Sequence, residues 1–144
     1  MKIRYRLLSA TAIPPQRMTE HSAGFDICAD LPDPQVLAKG CRLAVPTGVS
    51  IELPAGYEAQ IRPRSGLALN LGLTVLNSPG TIDADYRGEI KVILYNAGDD
   101  DVVIQSGMRV AQMVIAPVCT CTLTETEELS PTDRSDGGFG HTGH

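Results

Sequence analysis

Apolar and charged positions alternate along residues 2–7. Ile3, Tyr5 and Leu7 fall on one side of an extended chain, and Lys2, Arg4 and Arg6 fall on the other. Period-two alternation predicts a half-buried strand. Residues 57–62 repeat the pattern, with Tyr57, Ala59 and Ile61 opposite Glu58, Gln60 and Arg62. Apolar runs at 43–45, 49–53, 73–76, 89–95, 102–104 and 109–118 predict further strands. Turn signals separate them: Pro46-Thr47-Gly48, Pro54-Ala55-Gly56, Ser78-Pro79-Gly80, Ala97-Gly98-Asp99 and Ser106-Gly107. One short helix is expected at 67–71, between Gly66 and Gly72. No segment sustains a 3.6-residue period, which excludes folds that alternate strands with helices. Many short strands joined by tight turns predict an all-β sandwich, barrel or jelly roll.

Composition adds the kind of core and a boundary. A length of 144 residues fits one domain. The chain is 42% hydrophobic but has no Trp and only 2 Phe and 4 Tyr, so the core must be aliphatic. After Thr122 the sequence turns polar, charged and glycine-rich, which divides a β-domain at 1–122 from an arm at 123–144. The arm cannot bury a core of its own. It reads either as a frayed terminus or, with Arg134, Phe139 and Thr142 among glycines, as a segment that orders around a phosphate-bearing ligand.

Charge then narrows the partners. A formal net charge of −5 does not provide the basic face that nucleic-acid binding requires. No apolar run reaches membrane-span length, and the N-terminus lacks the apolar core of a signal peptide, so a cytoplasmic setting is expected. Cys28, Cys41, Cys119 and Cys121 contain no Cys-x-x-Cys pair, and the three His are scattered. The cysteines therefore read as small reduced hydrophobes rather than zinc ligands, with Cys119 and Cys121 on one face of a strand.

Four short strings carry candidate chemistry. Arg64-Ser65-Gly66 joins a strand to the helix; it is either a Ser cap beside a solvated Arg or a phosphate cradle of charge, hydroxyl and open backbone. The loop from Asn77 to Glu89 offers Asn77, whose amide can read a base edge, and Asp83, a candidate general base; both residue types are also ordinary turn formers. Asp26 follows a glycine turn and reads as a cap or an acidic ligand. Arg109 and Gln112 have opposite parity on a strand and are expected on opposite faces, Arg109 in a structural ion pair.

Taken in order, Ala23-Gly24-Phe25-Asp26, Pro63-Arg64-Ser65-Gly66, Asn77 through Glu89, Arg109-Val110-Ala111-Gln112, and Arg134 with Gly138-Phe139-Gly140-His141-Thr142-Gly143 resemble the five-motif series of the trimeric dUTPase family. The resemblance implies a distorted jelly-roll β-fold, a homotrimer with sites shared between chains, and Mg²⁺ on the triphosphate of dUTP. It implies that Asn77 reads the uracil edge, with backbone near Thr81, Ile82 and Lys91. Tyr86 would pack under the deoxyribose, and Asp83 would orient the attacking water with help from Gln112. Arg64, Ser65 and Gly66 resemble the phosphate-holding motif, and Asp26 the acidic residue that meets the metal through water. Arg134, Gly140 and Thr142 would close on phosphate while Phe139 stacks on uracil. Two positions depart from the usual pattern: His141 stands where Ser is frequent, and Phe25 where Tyr is. A dCTP deaminase of the same fold is the alternative, but it would need a different base loop from Asp83-Ala84-Asp85-Tyr86. A binding-only trimer would have no need of Asp83 and Gln112.

Overall fold

A computed structural model describes residues 1–138. Among these residues the chain forms β1 (Arg4–Leu7), β2 (Gly24–Cys28), β3 (Gln35–Leu37), β4 (Arg42–Pro46), β5 (Val49–Glu52), β6 (Tyr57–Arg62), α1 (Ser65–Leu71), β7 (Leu73–Val75), β8 (Gly80–Ile82), β9 (Lys91–Asn96), β10 (Val102–Ile104) and β11 (Arg109–Pro117). The largest sheet runs β2-β11-β6-β8, all antiparallel. A second sheet runs β4-β9-β7, and two-stranded pairs β1-β5 and β3-β10 complete the fold. The aliphatic expectation holds: Ile27, Leu37, Val45, Leu73, Ile90, Val92, Leu94, Ile104 and Val110 are buried to 2% exposure or less. Each such side chain contributes roughly 1.5–3 kcal/mol by leaving water.

The predicted strands fall where the pattern puts them; β6 and β10 match to the residue. Three differences follow from context. β1 is exposed along its whole length, not half-buried, because it pairs only with β5. β2, β3 and β8 lie outside the strands that the pattern predicts: β2 places polar Asp26 between apolar residues, and β3 and β8 have three residues each. The helix starts at Ser65 and not Leu67, so Gly66 lies within it. Arg64 is the N-cap residue and makes no side-chain cap bond. Gly72 closes the helix at φ 66°, in the left-handed region that glycine adopts without strain.

Two buried polar side chains tie strands together. The Thr47 hydroxyl donates to the Ile90 carbonyl at 2.6 Å. Asn96 is fully buried, donates to the carbonyls of Leu37 (3.0 Å) and Asp100 (2.9 Å), and accepts from the Gly98 N–H (2.9 Å). It thus ties β9 to β3 and to the turn that follows. Residues 117–136 are all exposed, and no strand or helix forms between Val118 and Gly138.

Asn96→Ala leaves two carbonyls and one N–H without their buried partner. It is expected to lower unfolding stability by about 2–3 kcal/mol, read as a fall in the urea midpoint at unchanged m-value. A variant within about 0.5 kcal/mol of wild type, the scatter of neutral surface changes, would show that the amide is dispensable.

Candidate functional site

Strand β11 lies between β2 and β6, and Gln112 sits opposite Asp26 on one side and Arg62 on the other. Its Nε2 donates to the Pro63 carbonyl at 2.9 Å, where β6 leads into α1. Gly24 makes this possible. A Cβ there would stand 2.7 Å from the Gln112 Oε1, inside van der Waals contact.

The expected opposition of Arg109 and Gln112 is corrected by the structure. The register of β11 on β2 shifts between Arg109 and Ala111, so that Arg109 faces Cys28 while Gln112 faces Asp26. Asp26 and Cys28 share a face of β2. The bulge therefore resets the alternation and brings Arg109 and Gln112 to the same side. Both line one pocket of about 390 Å³ with Gly24, Asp26, Arg64, Ser65 and Gly66.

Asp26 is the hinge of that pocket. One carboxylate oxygen lies 3.3 Å from Arg64 Nε, and the other lies 3.1 Å from Arg109 Nη1. Arg64 Nη1 also donates to the Arg109 carbonyl at 3.2 Å. The Asp26 side chain is only 14% exposed, whereas Arg109 is 45% exposed. Two cations thus meet one partly buried anion, which leaves a positive surplus. A guanidinium has five N–H donors, so donors remain for an anionic ligand. The ion-pair reading of Arg109 holds. Among the described residues, no group of three His, Cys, Asp or Glu side chains is placed to hold a metal. This donor set fits a cation that arrives on a phosphate ligand with its own waters, not one caged by protein.

A second pocket of about 400 Å³ is lined by Asn77, Gly80, Thr81, Ile82, Asp83, Tyr86, Glu89 and Lys91, with Ala44, Ile61, Val75, Val92 and Ile93 as its apolar wall. β8 pairs with β6 through Gly80 opposite Ile61 and Thr81 opposite Gln60, which fixes the backbone beside Asn77. The loop beyond is held internally. The Tyr86 N–H bonds the Asp83 carbonyl at 3.1 Å, and the Tyr86 hydroxyl donates to the Glu89 carbonyl at 2.9 Å. Glu89 accepts from the Gly48 N–H at 2.9 Å and lies 3.8 Å from Lys91 Nζ. A pocket with an apolar wall and a few convergent polar groups suits a small heterocyclic ligand.

The residues singled out from sequence thus gather in two places, not one. Asn77, Thr81, Ile82, Asp83, Tyr86 and Lys91 line one pocket; Asp26, Arg64, Ser65, Gly66 and Gln112 line the other; no residue is common to both. Arg134 is exposed on the arm, its Nε donating to the Gly137 carbonyl at 2.8 Å. Phe139, Gly140, His141 and Thr142 lie outside the described residues. Glu89 and Gly24 belong to the sequence strings Asn77–Glu89 and Ala23–Asp26, but the sequence gives neither a role of its own.

Comparison with known proteins now decides the family. The dUTPase family model matches residues 10–143. The chain belongs to the dUTPase family. It is 54% identical over 142 residues to the deoxyuridine 5′-triphosphate nucleotidohydrolase of Syntrophotalea carbinolica, covering 98% of this chain and 96% of that one. The enzyme of the same name from Hydrogenobaculum sp. is 56% identical over 144 residues, covering 99% of each. Among solved structures, the Staphylococcus bacteriophage 80alpha dUTPase with dUPNHPP superposes with a TM-score of 0.90 at 27% identity, covering 99% of each chain. A point mutant of the dUTPase from S. aureus phage phi11, described with a structural Mg(II) ion, superposes with a TM-score of 0.80 at 27% identity, covering 89% of this chain and 98% of that one. The jelly-roll-like β-fold expected for the dUTPase family is the fold observed. No helix among the described residues is long and apolar enough to cross a membrane.

The cysteines divide differently from expectation. Cys28 is buried, whereas Cys41, Cys119 and Cys121 are exposed. β11 ends at Pro117, so the last two lie beyond it and not on a strand. Burial, and then the Asp26 carboxylate, push the Cys28 thiol above its ordinary value, against the pull of Arg109 and Arg64. The thiolate is the reactive form. At about pH 8, near the ordinary thiol value, iodoacetamide should therefore modify Cys41, Cys119 and Cys121 and spare Cys28, with all four reacting in urea; peptide mass spectrometry reads the pattern. Equal labelling of Cys28 in the folded protein would contradict this placement.

Proposed function

We propose that this chain hydrolyses dUTP to dUMP and pyrophosphate. The observation that carries the reading is the convergence of Asn77, Thr81, Ile82, Asp83, Tyr86 and Lys91 on one cavity of nucleoside size. Asn77 offers paired donor and acceptor atoms to the uracil edge, assisted by backbone at Thr81 and Ile82 and by Lys91. Tyr86 lies under the deoxyribose and excludes a 2′-hydroxyl. Asp83 holds a water in line with the α-phosphorus and takes its proton. The new P–O bond forms as the bond to the β-phosphate oxygen breaks, and pyrophosphate leaves. This is the role that supplies dUMP for dTTP synthesis and limits uracil in DNA.

Charge develops on the leaving pyrophosphate, and Arg64, Ser65 and Gly66 are positioned to offset it by hydrogen bonding. Mg²⁺ is read as part of the substrate, carried on the phosphates, with Asp26 meeting it through water and Gln112 contacting the nucleophile and phosphates. Both Asp26 oxygens already face guanidinium groups, which supports a water-mediated role over direct ligation.

The two pockets of one chain are separate, which supports a homotrimer whose sites each combine the nucleoside pocket of one chain with the phosphate pocket of another. The arm, exposed in a single chain over residues 123–136, then closes over a site through Arg134, Phe139, Gly140 and Thr142. Closure expels bulk water and strengthens the electrostatic contacts inside.

Pyrophosphate release is to be measured with dUTP, dTTP, dCTP and UTP, each with Mg²⁺. Hydrolysis of dUTP alone is expected, and loss by about 10³-fold or more in Asp83→Asn, the scale of a removed general base with its orienting role. Sedimentation of the same preparation should give three chains per particle. No pyrophosphate from dUTP removes the proposal, and ammonia from dCTP would put a deaminase in its place.

A further inference from the structure

The Tyr86 ring lies against the backbone two residues on. A Cβ built on Gly88 would stand 2.5 Å from the ring Cζ and 2.9 Å from Cε2, and would collide with the hydroxyl. No ordinary contact is this short, so the ring and a side chain at 88 exclude one another. The backbone gives no second reason for glycine here. Gly88 is absent from the positive-φ glycines among the described residues, which are Gly40, Gly48, Gly56, Gly72 and Gly107. Alanine could adopt the same local conformation without strain.

The rest of the loop directs the ring onto that spot. Arg87 Nη1 donates to the carbonyls of Ala84 (2.6 Å) and Tyr86 (2.9 Å), closing the loop from its outer side. The Tyr86 N–H closes the turn onto the Asp83 carbonyl at 3.1 Å. The hydroxyl donates its proton to the Glu89 carbonyl at 2.9 Å, which holds the ring and leaves it no proton to give a sugar oxygen. The tyrosine is therefore a wall, and its place is set by the open space above residue 88.

We propose that Gly88 is a positioning residue for sugar selectivity: its missing side chain lets Tyr86 lie where it excludes a 2′-hydroxyl. The inference rests on the proposed dUTP hydrolysis and extends it to a residue that touches no substrate. A methyl group at 88 must lift the ring, because the far end of a tyrosine side chain yields more easily than backbone. The lifted ring loses its bond to Glu89 and opens room beneath the sugar. Discrimination between dUTP and UTP falls, while phosphate contacts, made in the other pocket, stay as they were.

The test compares kcat/KM for dUTP and UTP in wild type, Gly88→Ala, Tyr86→Ala and the double variant. Gly88→Ala is expected to lower the dUTP/UTP ratio by about tenfold or more, the size of one lost steric discrimination at a pocket wall. In the Tyr86→Ala background the same change should do nothing further, because the ring it displaces is gone. A folded Gly88→Ala with an unmoved ratio overturns the inference, as does an equal fall in both backgrounds. If Gly88→Ala does not fold, Tyr86→Ala should restore folding; failure of the double variant to fold also overturns it. Absence of dUTP hydrolysis in wild type would remove the underlying reading, and the inference with it, and is distinguished by the wild-type assay alone.

Discussion

Antiparallel pairing of β11 with β2 on one side and β6 on the other is the constraint on which the phosphate-side pocket depends. It sets Gln112 between Asp26 and Arg62 and brings the end of β6, hence Pro63 and Arg64, to the same edge. The register shift at Val110 is part of that constraint. Without it, period-two alternation would turn Arg109 away from Asp26, and one carboxylate would face one guanidinium instead of two. A partly buried carboxylate held by two cations also explains why this edge keeps an acidic group and still presents net positive charge.

The nucleoside-side pocket is organised by different means. Its floor is sheet, with Gly80 and Thr81 fixed on β6, but its rim is a loop that satisfies its own polar groups. Glu89 connects that rim to the turn between β4 and β5 through the Gly48 N–H. Rigid scaffold and stapled loop together hold Asp83 and Tyr86 without placing either on a regular element. Such preformed geometry limits the conformational freedom that a ligand would otherwise have to quench.

Much of this is legible in the sequence where local signals and long-range packing agree. Tyr57–Arg62 alternates, lies at the centre of a sheet with one face inward, and has the same bounds in the pattern and in the fold. Asn77 through Tyr86 can be assigned to one locus because the chain is contiguous there. What stays hidden depends on partners far along the chain. β2 has Asp26 at its middle, and that residue makes sense in a strand only once Arg64 and Arg109 are beside it. The bulge in β11 leaves no trace in its composition. β1 shows the converse: a perfect alternation that, within a single chain, nothing covers.

Gly24 shows how a residue can matter through atoms it does not have. Its position beside Gln112 Oε1 leaves no room for a Cβ, yet it offers no side chain that a truncating scan could remove. Mutagenesis by deletion of atoms is blind to it, and so is any ranking of positions by contacts made. Every single-nucleotide missense change of a glycine codon adds at least that one carbon. Sensitivity to inherited variation at this position is therefore a property of the excluded volume, and a map of it would trace the space the site keeps empty.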